Sequence, residues 1–258
     1  MSVFVRWSGM NGFQKMILSL SKLVYPSVVY GEENLPNGGT LIVSNHLSDV
    51  DSAFIRRLFK NDGVFILAKK ELFKNKLFGK ILSSYGAIPV NRENPDMKTL
   101  LTAANVLRRN DTLVIFPEGT RNRTGKTWLL PFKGGSFVLA AKSKKPIVPI
   151  VILRKAKIFR KTPIIIGKPF ELTEFYDKKL SGDDISKMSE MVVKKLTELK
   201  SELENILSEN KLNKKTRRKG EKKSFANTNE TRDTNDGESV CVANNVDGAD
   251  GKEKSDKK

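Results

Sequence analysis

The sequence predicts an α/β fold with a mostly parallel central sheet flanked by helices, an N-terminal amphipathic membrane-docking helical segment and a long C-terminal helix. Two observations carry this. The short apolar runs TLIVS, VFILA, AIPV, TLVIF, IVPIVIL and PIIIG alternate with stretches of helical periodicity, which is the pattern of crossover units in a parallel sheet. Residues 113–116 and 147–153 are apolar at successive positions, as strands covered on both faces require. A chain of 258 residues with 38% hydrophobic positions is long enough to bury such a core, and it predicts one or at most two domains.

In chain order, residues 1–33 come first. Phe4, Trp7, Phe13, Met16, Ile17, Leu20, Leu23 and Val24 fall, in their later part, at spacings of three and four, which predicts an amphipathic helix. It either packs on the core or lies in a membrane interface. The most apolar window, residues 16–30, is interrupted by Lys22 and Pro26, and no window reaches the roughly 20 apolar residues of a spanning helix. Nor do a basic run, an apolar stretch and a small-residue cleavage site follow one another here, so no secretory signal is expected.

Residues 34–212 form the α/β domain, with helical candidates at 49–59, 72–82, 97–109 and 136–141 between the apolar runs. Pro149 inside its run suggests an edge or bent strand. Past the strand at 164–166, Asp183 or Asp184 can cap a long helix with Ile185, Val192, Leu196, Leu199, Leu203 and Ile206 on one face. Residues 213–258 read as a tail: the basic cluster KKTRRKG at 214–220, then a polar stretch from Glu221 expected to be disordered.

The 47 Lys and Arg against 29 Asp and Glu give a net charge of +18, which calls for an anionic partner such as lipid headgroups, nucleic acid or an acidic protein. One Cys cannot form an intramolecular disulfide, and together with one His it cannot make a structural zinc site. A reducing cytoplasmic setting fits this composition. Histidine is the one side chain that ordinarily titrates near neutrality, so a general base of the usual kind must be His46.

His46 lies just past the run at 40–43, where open α/β sheets place ligands. Asp51 follows five residues later in SNHLSDVDS. A carboxylate there can accept the Nδ1 proton and leave Nε2 to deprotonate a hydroxyl. Alternatively, Ser48 to Asp51 spell a capping box in which Asp51 merely holds a helix start. A second block, GAIPVNR, ends in Arg92, whose guanidinium is suited to phosphate. The third, TLVIFPEGTRNRTG, places Glu118, Gly119, Thr120, Arg121 and Arg123 at a strand end. Its alternative is a turn with a local Glu118–Arg121 ion pair. The fourth block is KPIVPIVIL.

Taken in this order, NHLSDVD, GAIPVNR, FPEGTRNR and IVPIVI resemble the signature blocks of the glycerolipid acyltransferase family, most closely its members that act on lysophosphatidic acid, and AKKELF at 68–73 adds to the likeness. The resemblance covers residues 34–166. It implies transfer of a fatty acyl group from a thioester, on acyl-carrier protein or acyl-CoA, to the sn-2 hydroxyl of 1-acyl-glycerol-3-phosphate, giving phosphatidic acid. It assigns His46 as base and Asp51 as its orienting partner. Arg92 would bind the acceptor phosphate, and Glu118, Gly119, Thr120 and Arg121 would line the acceptor site. Lys70 is a further candidate for that anion, and Pro149 would shape the wall near the acyl chain. No metal or cofactor is implied. The expected setting is peripheral, on the anionic cytoplasmic face of the cell membrane. Another lysolipid or glycerol 3-phosphate as acceptor, or a non-enzymatic lipid-binding role, stays open, and no familiar nucleic-acid motif is present.

Overall fold

Each apolar run named above is a strand, and all belong to one sheet. The computed structural model describes residues 12–59, 63–91, 97–133 and 137–230. Its strands are β1 (Ser27–Tyr30), β2 (Leu41–Ser44), β3 (Val64–Lys69), β4 (Ala87–Val90), β5 (Thr112–Ile115), β6 (Ile147–Ile152) and β7 (Thr162–Ile166), in the order β1-β7-β6-β2-β5-β3-β4. β6, β2, β5, β3 and β4 run parallel, whereas β7 is antiparallel to β6 and β1 runs with β7. β1 falls inside the stretch that the sequence assigns to the N-terminal segment. It carries no fully buried run, all four residues being half-buried, and its parallel register with β7, Ser27 opposite Thr162, makes it a strand.

The helices are α1 (Gly12–Val24), α2 (Asp51–Leu58), α3 (Lys76–Ser84), α4 (Met97–Arg108), α5 (Val138–Ser143) and α6 (Gly182–Glu230). They cover the two faces of the sheet unequally. Leu41, Val43, Leu113, Ile115, Ile147 and Val151 pack with α4, α5 and the apolar stripe Met188, Val192, Leu196, Leu199 and Leu203 of α6. The alternate residues Ile42, Val114, Val148, Ile150 and Ile152 pack with Phe54, Ile55 and Phe59 from α2 and its end. This two-sided burial explains why the strands are apolar throughout.

Three expectations are corrected. Pro149 lies in an interior strand, between β7 and β2. It is tolerated because the β6–β7 ladder is interrupted beside it: Pro149 O accepts from Gly167 N at 2.8 Å, and the next pairing is Ile147 with Phe170, which leaves one extra residue on the β7 side. At the start of α6, neither aspartate acts as cap alone. The Ser181 hydroxyl accepts from Asp184 N, while the Asp184 carboxylate accepts from Ser181 N and Oγ, a reciprocal box. With Lys178 bonded to it as well, the Asp184 carboxyl is held down at about 2. Finally, α6 runs through Glu230, beyond the point where the tail was expected to lose structure. Residues 208–219, just before that point, are rich in Lys, Arg and Glu, which favour helix and carry it forward. Contacts divide the chain after Leu207, and the described part of the second unit, residues 208–230, is helical.

Candidate active site

Because five strands are parallel, their C-terminal ends share one edge, and β2 stands fourth of the seven strands there. The chain leaves β2 through Asn45, whose side chain pairs with β6: Oδ1 accepts from Ile152 N and Nδ2 donates to Ile152 O, both at 2.9 Å. That bidentate contact fixes where the next residue, His46, emerges. The His46 backbone is gripped on both sides by the loop after β5. Its N–H donates to Glu118 Oε1 at 2.6 Å, and its carbonyl accepts from Asn122 N at 2.7 Å.

The His46 ring lies against Phe116, with centroids 4.2 Å apart and planes 21° from parallel. Its Nδ1 is 3.0 Å from Asp51 Oδ2. Asp51 is the first residue of α2 and is fully buried. The same Oδ2 accepts from Leu47 N at 2.6 Å and Ser48 N at 2.7 Å, and Oδ1 accepts from the Ser48 hydroxyl at 2.6 Å. The two sequence readings of Asp51 are therefore both realised: one carboxylate holds the turn and also faces the imidazole. Three donors besides the ring leave it no freedom to rotate away. Nδ1 is turned to Asp51, which leaves Nε2 as the ring atom for substrate.

Glu118 is 2% exposed, and its second oxygen accepts from Leu130 N at 2.9 Å. Both oxygens thus serve the protein backbone, so Glu118 positions His46. Burial pushes its carboxyl above the ordinary range, against the lowering effect of the two amide bonds. Gly119 has φ +64°, and a Cβ there would come within 2.7 Å of Lys133, so the turn requires glycine at this position. Thr120 is exposed beside it. Arg121 pairs with Asp49 of the His46 loop, in place of the local Glu118 pair offered as the alternative. Asp49 is 82% exposed, so Arg121 remains available to an incoming anion.

Lys70 is exposed just beyond the end of β3, at the same edge of the sheet. Arg92 lies outside the described residues. Pro149 is not brought to this cluster; its ring is buried on the α6 face against Gly167. Among the described residues no group of His, Cys, Asp or Glu could hold a metal ion.

Residues 27–153 match the model of the acyltransferase family. The 1-acyl-sn-glycerol-3-phosphate acyltransferase of Bacillus subtilis is 32% identical over 198 residues, 74% of this chain and 96% of that protein. The chain belongs to the acyltransferase family. A 1-acyl-sn-glycerol-3-phosphate acyltransferase of Cocos nucifera is 33% identical over 162 residues, 62% of this chain and 51% of that protein, so the chain spans about half of that relative. Among solved structures, the 1-acyl-sn-glycerophosphate (LPA) acyltransferase PlsC of Thermotoga maritima is similar with a TM-score of 0.53 and 26% identity, covering 75% of this chain and 76% of that one.

This acyltransferase also uses residues that the sequence reading gave no role. Asn45 and Asn122 hold the loop: Asn122 Nδ2 donates to Thr127 O at 2.7 Å, while its Oδ1 accepts from Gly125 N at 3.2 Å. An Asn at the end of an apolar run, directly before the only histidine, was the available signal, since an amide next to a buried strand needs partners.

Proposed function

We propose that this acyltransferase moves a fatty acyl group from a thioester to the sn-2 hydroxyl of 1-acyl-glycerol-3-phosphate, at an anionic membrane surface. The observation that carries the reading is the buried Asp51 carboxylate 3.0 Å from His46 Nδ1. His46 Nε2 takes the hydroxyl proton as the oxygen attacks the thioester carbonyl. Asp51 stabilises the resulting imidazolium. The tetrahedral intermediate collapses, the carbon–sulfur bond breaks, and the thiolate leaves with the proton that His46 returns. A thioester is already activated, so positioning and one base suffice, the base contributing on the order of 10²–10⁴-fold. Arg121, with Lys70 and Arg92, supplies cations for the acceptor phosphate, and Thr120 lies beside it. The donor is an acyl-CoA or an acyl-carrier protein.

Exposed apolar side chains support the membrane setting. No described helix is long and apolar enough to cross a membrane. On α1, Met16, Ile17, Leu20 and Leu23 are exposed, as are Leu72, Leu77, Phe78 and Ile81 on and before α3 and Ile158 and Phe159 between β6 and β7. These pieces are joined: Tyr85 Oη donates to Gln14 O, and Phe159 N donates to Val24 O. β1 and β7 both begin at the edge where β6 ends, so the end of α1 and the Phe159 turn adjoin the His46 edge. Exposed Lys69, Lys70, Lys74, Lys76 and Lys80 surround the α3 part, a combination suited to anionic lipid on the cytoplasmic face.

The test is free-thiol release from palmitoyl-CoA or palmitoyl-acyl-carrier protein in mixed micelles, with and without lysophosphatidic acid. Release that requires lysophosphatidic acid is expected. Release that requires glycerol 3-phosphate instead, or none with either donor, would overturn the substrate assignment.

A further inference from the structure

The arginines of the loop after β5 face different surroundings. Arg121 pairs with Asp49, whereas Arg123 lines a separate cavity of about 370 Å³. Arg154, Lys155 and Lys200 line it too, and no acidic residue is among its lining residues. Arg154 Nε is buried without a hydrogen-bond partner among the described residues. The Arg154 side chain is part of the cavity wall, and an anion in the cavity would pair with the cations that line it. Trp128 adds an aromatic wall, with Lys200 Nζ 5.9 Å from its ring centre and also bonded to Glu204.

The position of the cavity decides what anion it takes. Asn45 and Leu47, the chain neighbours of His46, are in its wall. Its lining draws on both faces of the sheet, Trp128 and Leu153 from the α6 side and Leu47 and Ile152 from the α2 side, but His46, Asp51, Phe116 and Arg121 are not part of it. The cavity therefore adjoins the His46 loop without including the imidazole or the residues that hold it. In the acceptor, the phosphate is borne on the carbon next to the reacting hydroxyl carbon, so it must sit close to the imidazole, where Arg121 meets the His46 loop. A donor is different, because a long pantetheine arm separates its thioester from its phosphate. Consecutive Cα atoms are about 3.8 Å apart, so a cavity wall formed by the neighbours of His46 is well within reach of that arm.

We propose that this cavity binds the phosphate-bearing end of the pantetheine thioester donor, through Arg123, Arg154, Lys155 and Lys200. The inference rests on the acyl-transfer reading above. Acyl-CoA and acyl-carrier protein both carry the pantetheine phosphate, and CoA adds a nucleotide that Trp128 can stack.

The test compares Arg154→Gln and Lys155→Gln with the parent chain, the second variant altering only an exposed side chain. Steady-state constants are measured with palmitoyl-CoA and with palmitoyl-acyl-carrier protein, and quenching of Trp128 fluorescence by CoA is followed in a Trp7→Phe background. The donor KM should rise roughly tenfold or more, with kcat and the lysophosphatidic acid KM unchanged and CoA quenching weakened in parallel. A rise with both donors places the pantetheine phosphate in the cavity, and a rise with CoA alone places the nucleotide end there. An unchanged donor KM, or a rise in the acceptor KM instead, would overturn the proposal. If the parent chain turns over neither donor, the acyl-transfer reading fails, and the CoA quenching still reports on the cavity by itself.

Discussion

The His46 loop and the fringe formed by the end of α1, the start of α3 and the Phe159 turn sit at the same edge of the sheet and are built in opposite ways. At the loop, Asp51 is 0% exposed and its carboxylate meets the ring, two amides and a hydroxyl. On the fringe, Leu77 is 73% and Phe159 74% exposed. Proton transfer needs one orientation held to a few tenths of an ångström, and the loop reaches it with directional hydrogen bonds between buried groups. Adhesion to lipid has no such requirement. It scales with apolar area and with nearby charge, so unpartnered side chains on short elements serve it.

The largest change comes from breaking the directional side. Asp51→Asn keeps the side-chain volume but removes the charge that stabilises the imidazolium. We expect kcat to fall on the order of 10²–10⁴-fold with membrane partition unchanged, and an equal loss of both would merge the two regions into one structural unit. A step further out, Glu118→Gln leaves one of the His46 and Leu130 amides facing an amide NH₂ instead of a carboxylate oxygen. It should lower kcat about tenfold through a displaced His46, with the KM values nearly constant.

The raised carboxyl of Glu118 has a pH consequence of definite sign. A folded pKa above the unfolded value favours the native state below the unfolded value, ordinarily 4.5, and this advantage is lost as pH rises through the raised folded value. The melting temperature of the parent chain relative to Glu118→Gln should therefore decline as pH rises above about 4.5. An increase would mean that the two amide bonds outweigh burial.

On the fringe, replacing both Leu77 and Phe78 with Ser should reduce partition onto anionic vesicles several-fold. It should leave the melting temperature and the turnover of micellar substrate almost unchanged, because neither side chain packs in a core cluster. Unchanged partition would remove α3 from the docking surface.

The sequence showed these regions unequally. Strands β2 to β7 and the α6 stripe are readable because burial on both faces, or on one helical face, leaves a period or an unbroken apolar run. β1 is not, since its half-buried residues at a sheet edge form no fully buried run and take their structure from β7. His46 and Asp51 are readable because their spacing folds one onto the other across a single turn. The partners of Glu118 and Arg121 are not, because His46 and Asp49 are both 72 positions away and only the parallel order of β2 and β5 brings them together. Pro149 misled for a related reason: the ladder gap that accommodates it is made by residues after β7. Local chemistry is written locally, and its supports come from topology.

In the proposed reaction His46, held by Asp51, is the base for acyl transfer. The most direct measurement is acceptor-dependent thiol release by His46→Gln at saturating donor and lysophosphatidic acid, beside its thermal melting curve. A native-like melting temperature and a kcat lower by at least about 10²-fold are expected. Turnover close to that of the parent chain would contradict that role.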